Sequence, residues 1–593
     1  MFTFPFRSWN AFKSAEISLL VSQLATGPKF PLESLTGSVK GIGSHLRASM
    51  IFASLALAQP IAAQNSEESD RKNEKPVATA TRSAPQTVVT PDSISDGSIV
   101  TGGQTIAYKA IVGSLTVGSN DVQDATLASD GNRLSTGGDT PADQATARMS
   151  YVAYFVKDAK DNGKERPITF LYNGGPGGAS LPLHMGAFGP RRVVVPDGQF
   201  DPGGTYKIIN NEYTLLDVSD IVFIDAPGTG FGRIIGKKAA FWGTDPDTHA
   251  FERFIHRFLT KYDKWNSPKY LVGESYGTLR NAMLVANLQD VRFNGIIMLS
   301  QILNFNDYAD GEQFNPGLDE AYALALPTYA AVAFYHRKLP SQPTQLEPFL
   351  EEVEKYAIGD YMSALLQGSE LTESRRQAVA EKLHAYTGLP VTFLLKANLR
   401  VRSGVFTKML LSDSDTTTGQ LDARYSGPDI DPLSEDAQYD PMISTIVPAY
   451  TAAFNQYVRT ELKYTADQTY KVLLNKNDEF TWDWKHRVPN GPAAADFPGV
   501  GTNVLPDLAY AMKLNPKMKV MLTGGYYDLA TPFFQGIYEM HHLPIPQSLE
   551  SNISYHYYPV GHMVYVHDEA LKQFHSDVST FIKNTENAEK SLR

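Results

Sequence analysis

The run Lys269-Tyr270-Leu271-Val272 passes directly into Gly273-Glu274-Ser275-Tyr276-Gly277, and a helix-compatible segment, Thr278 to Leu288, follows. A serine placed this way demands a particular backbone. Only a tight strand-to-helix turn, with glycines where a side chain would clash, lifts the hydroxyl clear of the chain toward a base.

A hydroxyl activated in this way needs a base, and the base needs an orienting acid. On a doubly wound sheet both are expected downstream, in the order Ser, Asp, His, each just after a strand. Val520-Met521-Leu522-Thr523 runs into Gly524-Gly525-Tyr526-Tyr527-Asp528, and Ile553-Ser554-Tyr555-His556-Tyr557-Tyr558 runs into Pro559-Val560-Gly561-His562-Met563. His562 would take the serine proton and hand it to the leaving group, while Asp528 would hold the imidazole in the useful tautomer. Asp225, after its own strand, is a rival acid that precedes the serine and so breaks this order. His541, His542, His556 and His567 read as surface or satisfied core residues.

Upstream, the strand-like Ile168-Thr169-Phe170-Leu171-Tyr172 gives way to Asn173-Gly174-Gly175-Pro176-Gly177-Gly178. Such a loop exposes backbone amides, and those of Gly175 and Tyr276 would make an oxyanion hole. A nucleotide-phosphate loop is disfavoured, because Ala179-Ser180-Leu181 supplies no lysine after the last glycine.

Together with Asp225-Ala226-Pro227-Gly228-Thr229-Gly230-Phe231, these segments resemble the serine carboxypeptidase family over most of the chain beyond about Ser150. The resemblance implies a triad of Ser275, Asp528 and His562, and oxyanion amides at Gly175 and Tyr276. It also implies a site for the substrate's terminal carboxylate at Asn173, Gly174 and Glu274. Three departures stand out. Leu171 and Gly178 occupy places where eukaryotic members usually have tryptophan and cysteine. Ala187 stands where well-studied members have a second acid paired with the glutamate before the serine. The chain also has no cysteine at all, which points to a bacterial-type branch.

The resemblance and the apolar runs Asp220-Ile221-Val222-Phe223-Ile224 and Gly295-Ile296-Ile297-Met298-Leu299, separated by helix-compatible stretches such as Thr248 to Leu259, lead to an α/β-hydrolase: a doubly wound, mostly parallel sheet with an inserted helical cap. The expected organisation is an N-terminal extension with a signal-like segment over 1–64, a disordered spacer over 65–96, the first part of the core over 97–326, a mostly helical cap over 327–504 and the second part of the core over 505–593. Short alternating runs near Ile106 and Tyr151 predict antiparallel strands, and Leu346 to Leu366 and Glu373 to Tyr386 predict cap helices. Trp482 and Trp484 read either as core aromatics of the cap or as pocket lining.

At 593 residues and 42% hydrophobic the chain can bury a large core, and its net charge of −11 argues against nucleic acid as a partner. The absence of cysteine excludes disulfides and thiolate metal sites, and with no His-Glu-x-x-His string the expectation is no metal and no cofactor. The stretch from Met50 to Ala63, preceded by Arg47, is too short to span a membrane and resembles the core and cleavage region of a secretory signal. Its distance from Met1 suggests an over-extended start. Export to a bacterial periplasm or the extracellular space is expected, with no stable membrane span after processing.

The leading expectation is a carboxypeptidase that acts on peptides or proteins with a free C-terminus, through an acyl-enzyme on Ser275. An esterase, acyltransferase or lyase on the same scaffold is the alternative, and a non-catalytic binding protein the remote one. If Glu274 receives a substrate carboxylate it must be protonated, since two anions in a poorly hydrated pocket repel.

Overall fold

The computed structural model describes residues 90–127, 145–157, 165–201, 203, 206–307, 316–465, 467–489 and 502–590. The signal-like stretch and nearly all of the expected spacer lie outside the described residues.

Among the described residues, a ten-stranded sheet runs in the order β1-β2-β3-β5-β4-β6-β7-β8-β9. The strands are β1 (Ser93–Thr101), β2 (Gln104–Gly118), β3 (Thr146–Val156), β4 (Ile168–Tyr172), β5 (Asp220–Ile224), β6 (Lys269–Glu274), β7 (Gly295–Leu299), β8 (Lys519–Gly525) and β9 (Ile553–Tyr558), and the short strand Arg233–Ile235 pairs off this path with β3. The first three strands are antiparallel to their neighbours, and from β5 to β9 every pairing is parallel. This is the α/β-hydrolase arrangement.

Side-chain alternation along the strands builds two cores. Ile221, Phe223, Tyr270, Val272, Ile297, Leu299 and Met521 face one side, where α6 (Pro441–Thr460) and α9 (Asp568–Lys590) pack. Val222, Ile224, Leu271, Ile296, Met298, Val520 and Leu522 face the other, against α1 (Thr244–Lys261), α2 (Tyr276–Asn287) and α7 (Leu505–Leu514). Burial on both faces explains why these strands read as unbroken apolar runs.

A third core joins α3 (Glu320–Tyr335), α4 (Leu346–Tyr356) and α5 (Glu373–Thr387) to α8 (Phe533–His541) and the turn carrying Tyr527 and Leu529.

The observed elements differ from the expected boundaries in three places. Residues 93–96, assigned to the spacer, form the start of β1 and pair with 109–112 of β2. Their polar alternation suits an edge strand, which needs one apolar face at most. The boundary at 326/327 falls inside α3, whose Leu324, Leu326 and Thr328 are all buried. Finally, α6 packs on the sheet itself: Met442, Ile446, Ala449, Ala453, Phe454 and Tyr457 form an apolar stripe at helical spacing. The stripe predicts a helix, but spacing alone does not say which surface covers it.

Candidate active site

The turn after β6 has Ser275 at φ 59° and ψ −128°. A non-glycine residue held there carries backbone strain on the order of 1–3 kcal/mol, which surrounding contacts must hold. The flanking glycines serve close approach: a Cβ on Gly273 would lie 2.2 Å from Gly277 O, and one on Gly277 would lie 2.9 Å from Tyr172 O. Ser275 makes no capping bond to its own helix.

The acid and the imidazole meet at the ends of β8 and β9. Asp528 Oδ2 lies 2.6 Å from His562 Nδ1, both residues being buried. The remaining acceptor capacity of Asp528 is filled by the N–H groups of Ala530 (2.9 Å) and Thr531 (3.0 Å) and by the Thr531 hydroxyl (2.6 Å). With Nδ1 committed to the acid, Nε2 is the nitrogen left for a serine proton. Burial pulls the imidazole pKa down, but the charge and hydrogen bond of Asp528, with Glu274 and Asp440 behind, outweigh it and the net shift is upward.

The end of β7 ties Ser275 and His562 together. Ser275 N donates to Leu299 O at 2.9 Å, and the hydroxyl of the next residue, Ser300, donates to His562 O at 2.7 Å. Two consecutive residues thus fix the backbones of Ser275 and His562. Among the described residues no hydrogen bond joins Ser275 Oγ to the ring; such bonds commonly tighten only with substrate in place.

A strip of chain before α6 clamps both turns. Leu421 O accepts from His562 N at 2.7 Å, Gln420 O from Leu529 N at 2.9 Å, and Ala423 N donates to Tyr527 O at 3.0 Å. Asp440, the N-cap of α6, holds the strip through the N–H groups of Gln420 and Leu421, both at 2.9 Å from Oδ2.

The glycine loop packs on the other side of the serine. A Cβ on Gly174 would sit 2.4 Å from Tyr276 N, and Gly175 has φ +119°, a region that favours glycine. Tyr276 opens α2, so its N–H has no acceptor within the helix. Arg280, buried and paired with Asp247 at 2.7 Å, donates a second N–H to Asn173 O at 3.2 Å and so ties α2 to the loop. Gly175 and Ser275 keep partial exposure in otherwise buried surroundings.

Glu274 is buried beside the serine. Burial pushes its carboxyl from 4.5 up to about 7, against the lowering effects of His562, the Tyr565 hydroxyl and the Asn173 side chain. Tyr565 donates to Oε2 at 2.8 Å. Ala187 lies in the buried turn Leu183–Phe188, so no second acid reaches Glu274 from there.

All eight residues named from the sequence, Asn173, Gly174, Gly175, Glu274, Ser275, Tyr276, Asp528 and His562, lie at the C-terminal ends of the parallel strands β4, β6, β8 and β9 or in the turns that follow them. Asp225 does not join them as an acid. Its oxygens accept from Ser150 Oγ, Ser180 N, Ser180 Oγ and Tyr470 OH at 2.7 to 3.0 Å, which makes it a buried brace between loops. Trp482 and Trp484, partly buried, pack edge-on against the Tyr276 ring at the margin of the core, with centroids 5.4 and 6.2 Å away. Sequence reasoning missed Tyr565, Ser300 and Leu421. Only the second has a local signal, its position directly after a buried strand.

Residues 142–312 match the model of the serine carboxypeptidase family. Serine carboxypeptidase-like 10 of Arabidopsis thaliana is 26% identical over 166 residues, 27% of this chain and 35% of that protein. Serine carboxypeptidase-like 8 of the same plant is 26% identical over 168 residues, 28% of this chain and 36% of that protein. The chain thus spans about a third of the length of these relatives. The crystal structure of a proline iminopeptidase from Mycobacterium smegmatis overlaps at 11% identity and a TM-score of 0.30, covering 84% of this chain and 100% of that one. The matched segment contains the glycine loop and Ser275 but ends before Asp528 and His562, which the fold brings to it. On that match residues 142–312 are similar to the serine carboxypeptidase family, and they are set in an α/β-hydrolase fold.

Proposed function

We propose that the protein is an exported serine carboxypeptidase that releases C-terminal residues from peptides through an acyl-enzyme on Ser275. The observation that carries this reading is Glu274: a buried carboxyl next to the serine, pushed up to about 7 and so available in protonated form to a substrate carboxylate.

In this mechanism Ser275 Oγ attacks the carbonyl carbon of the last peptide bond and its proton passes to His562 Nε2. Asp528 holds Nδ1–H and stabilises the imidazolium. The N–H groups of Gly175 and Tyr276 receive the developing oxyanion. His562 then protonates the leaving amine, and a water deprotonated by the same nitrogen hydrolyses the ester. Among the described residues no helix is long and apolar enough to cross a membrane. The proposal of export rests on the signal-like segment from Met50 to Ala63.

One observation favours a second reading, ester or acyl-transfer chemistry on the same scaffold: Ala187 leaves Glu274 without a partner acid. Mass spectrometry of a peptide incubated with wild type and with Ser275→Ala decides. A ladder shortened from the C-terminus, absent with the variant, is expected. Internal cuts would indicate an endopeptidase, and an intact peptide with a hydrolysed ester control would favour the second reading.

A further inference from the structure

Within electrostatic reach of Glu274 lies a hydroxyl with no partner among the described residues. Tyr450, on α6, is 1% exposed and its hydroxyl makes no hydrogen bond among the described residues. Buried donors are nearly always satisfied, and leaving one unmade is costly, so an orphan of this kind calls for an explanation.

Its surroundings supply one. A Cβ on Gly186, directly before Ala187, would lie 2.6 Å from the Tyr450 hydroxyl and 2.6 Å from the Tyr565 ring, so both tyrosines close over this turn. Tyr450 is within electrostatic reach of Glu274, which Tyr565 bonds at 2.8 Å, and the Asn173 side chain bears on both Glu274 and Tyr565. Burial raises both phenols well above their ordinary value, so each remains a neutral donor across the working range. The charged and titratable groups facing this spot are His562 and Asp528 from the strand ends, Tyr425 beside Tyr450, and Arg192, whose guanidinium is already paired with Asp568 at 2.9 Å. Several donors next to Ser275 suit a small anion with two acceptor oxygens.

We propose that Tyr450 and Tyr565 complete the terminal-carboxylate subsite that Ala187 leaves open: Tyr565 fixes Glu274 through Oε2, and Tyr450 donates its hydroxyl to the carboxylate of the substrate's last residue. The inference rests on the carboxypeptidase reading above and adds two specificity-determining residues to it.

The test compares kcat/KM of the full-length protein for an N-acyl dipeptide and for its C-terminal amide, in wild type, Tyr450→Phe and Tyr565→Phe. Each variant deletes one hydroxyl and keeps the ring, and a thermal melt checks that it is folded; either one alone decides its own residue. Tyr450→Phe is expected to lower the free-acid to amide ratio by roughly tenfold to a hundredfold, the range for a hydrogen bond to a charged group, mainly through KM. Tyr565→Phe is expected to move the alkaline fall of free-acid cleavage to higher pH, because the lost donor favoured the carboxylate form of Glu274, and to leave the amide's pH profile in place. Equal losses on both substrates, or an unchanged ratio and pH limb, would overturn the proposal while the carboxypeptidase reading stands. If wild type itself does not favour the free acid, that reading falls and the subsite with it.

Discussion

On the carboxypeptidase reading proposed above, replacing Glu274 by Gln separates recognition of a terminal carboxylate from the rest of the machinery. The glutamine keeps a carbonyl that accepts from Tyr565, now bonded to Oε2 at 2.8 Å, and presents N–H groups whatever the pH. The wild-type carboxyl does not, since burial has moved it from 4.5 to about 7, a displacement of about 3 kcal/mol against the charged form. If only the protonated form receives a substrate carboxylate, the competent fraction is about 0.9 at pH 6 and about 0.1 at pH 8. The ratio of kcat/KM for an N-acyl dipeptide to that for its amide should therefore fall about tenfold across this interval. Taking the ratio cancels the titration of His562, which both substrates share. In Glu274→Gln the ratio should be flat. The same shift has a stability consequence, because a carboxyl with a raised folded-state pKa binds extra protons in the folded protein. Its penalty is absent below about 4.5 and fully present above about 7. The variant should accordingly melt higher than wild type at pH 8 and alike at pH 4. A wild-type ratio that is flat from pH 6 to 8, or one that falls equally in the variant, would refute the reasoning.

Gly174→Ala would place a methyl group 2.4 Å from Tyr276 N and 2.8 Å from Glu274 O, both backbone atoms that cannot swing away. The glycine loop should shift and misplace an oxyanion donor, lowering kcat by roughly a hundredfold to a thousandfold with a smaller effect on KM; an unchanged kcat would remove the loop from the mechanism. Asp440→Ala deletes the N-cap of α6 and frees four backbone donors, those of Gln420, Leu421, Met442 and Ile443. It should cost at least about 1–2 kcal/mol in denaturant titration. Because Leu421 carries the His562 backbone, kcat should fall as well in conditions where the variant remains folded.

How far the site could be read in advance follows from how far its parts lie along the chain. Gly273 and Gly277 are dictated by contacts within a few residues or with the adjacent strand β4, so the turn shows in the motif itself. Asp528 and His562 were legible because each follows a strand-like run, and a parallel sheet delivers all such ends to one edge. The clamp of Gln420–Ala423 on the two turns left no such trace, for it is made by backbone groups that any residues could supply. Tyr450 lies on the apolar stripe of α6 and Tyr565 among buried residues just after the histidine, and nothing local marks either hydroxyl.

What the sequence by itself determined is the chemistry available: a strained serine, an ordered acid and imidazole, a loop of exposed amides, and strands apolar on both faces. Local sterics and the alternation of side chains write these into short windows. Only the tertiary structure decided what surrounds them: Leu299 and Ser300 tying the backbones of Ser275 and His562 together, α6 on the sheet in place of the cap, and the Tyr565 hydroxyl bonded to Glu274, where Ala187 stands in place of the family's second acid. Those choices depend on contacts between distant segments, whose free energy is set by burial and shape in the folded state, and neither is encoded in any single stretch of residues.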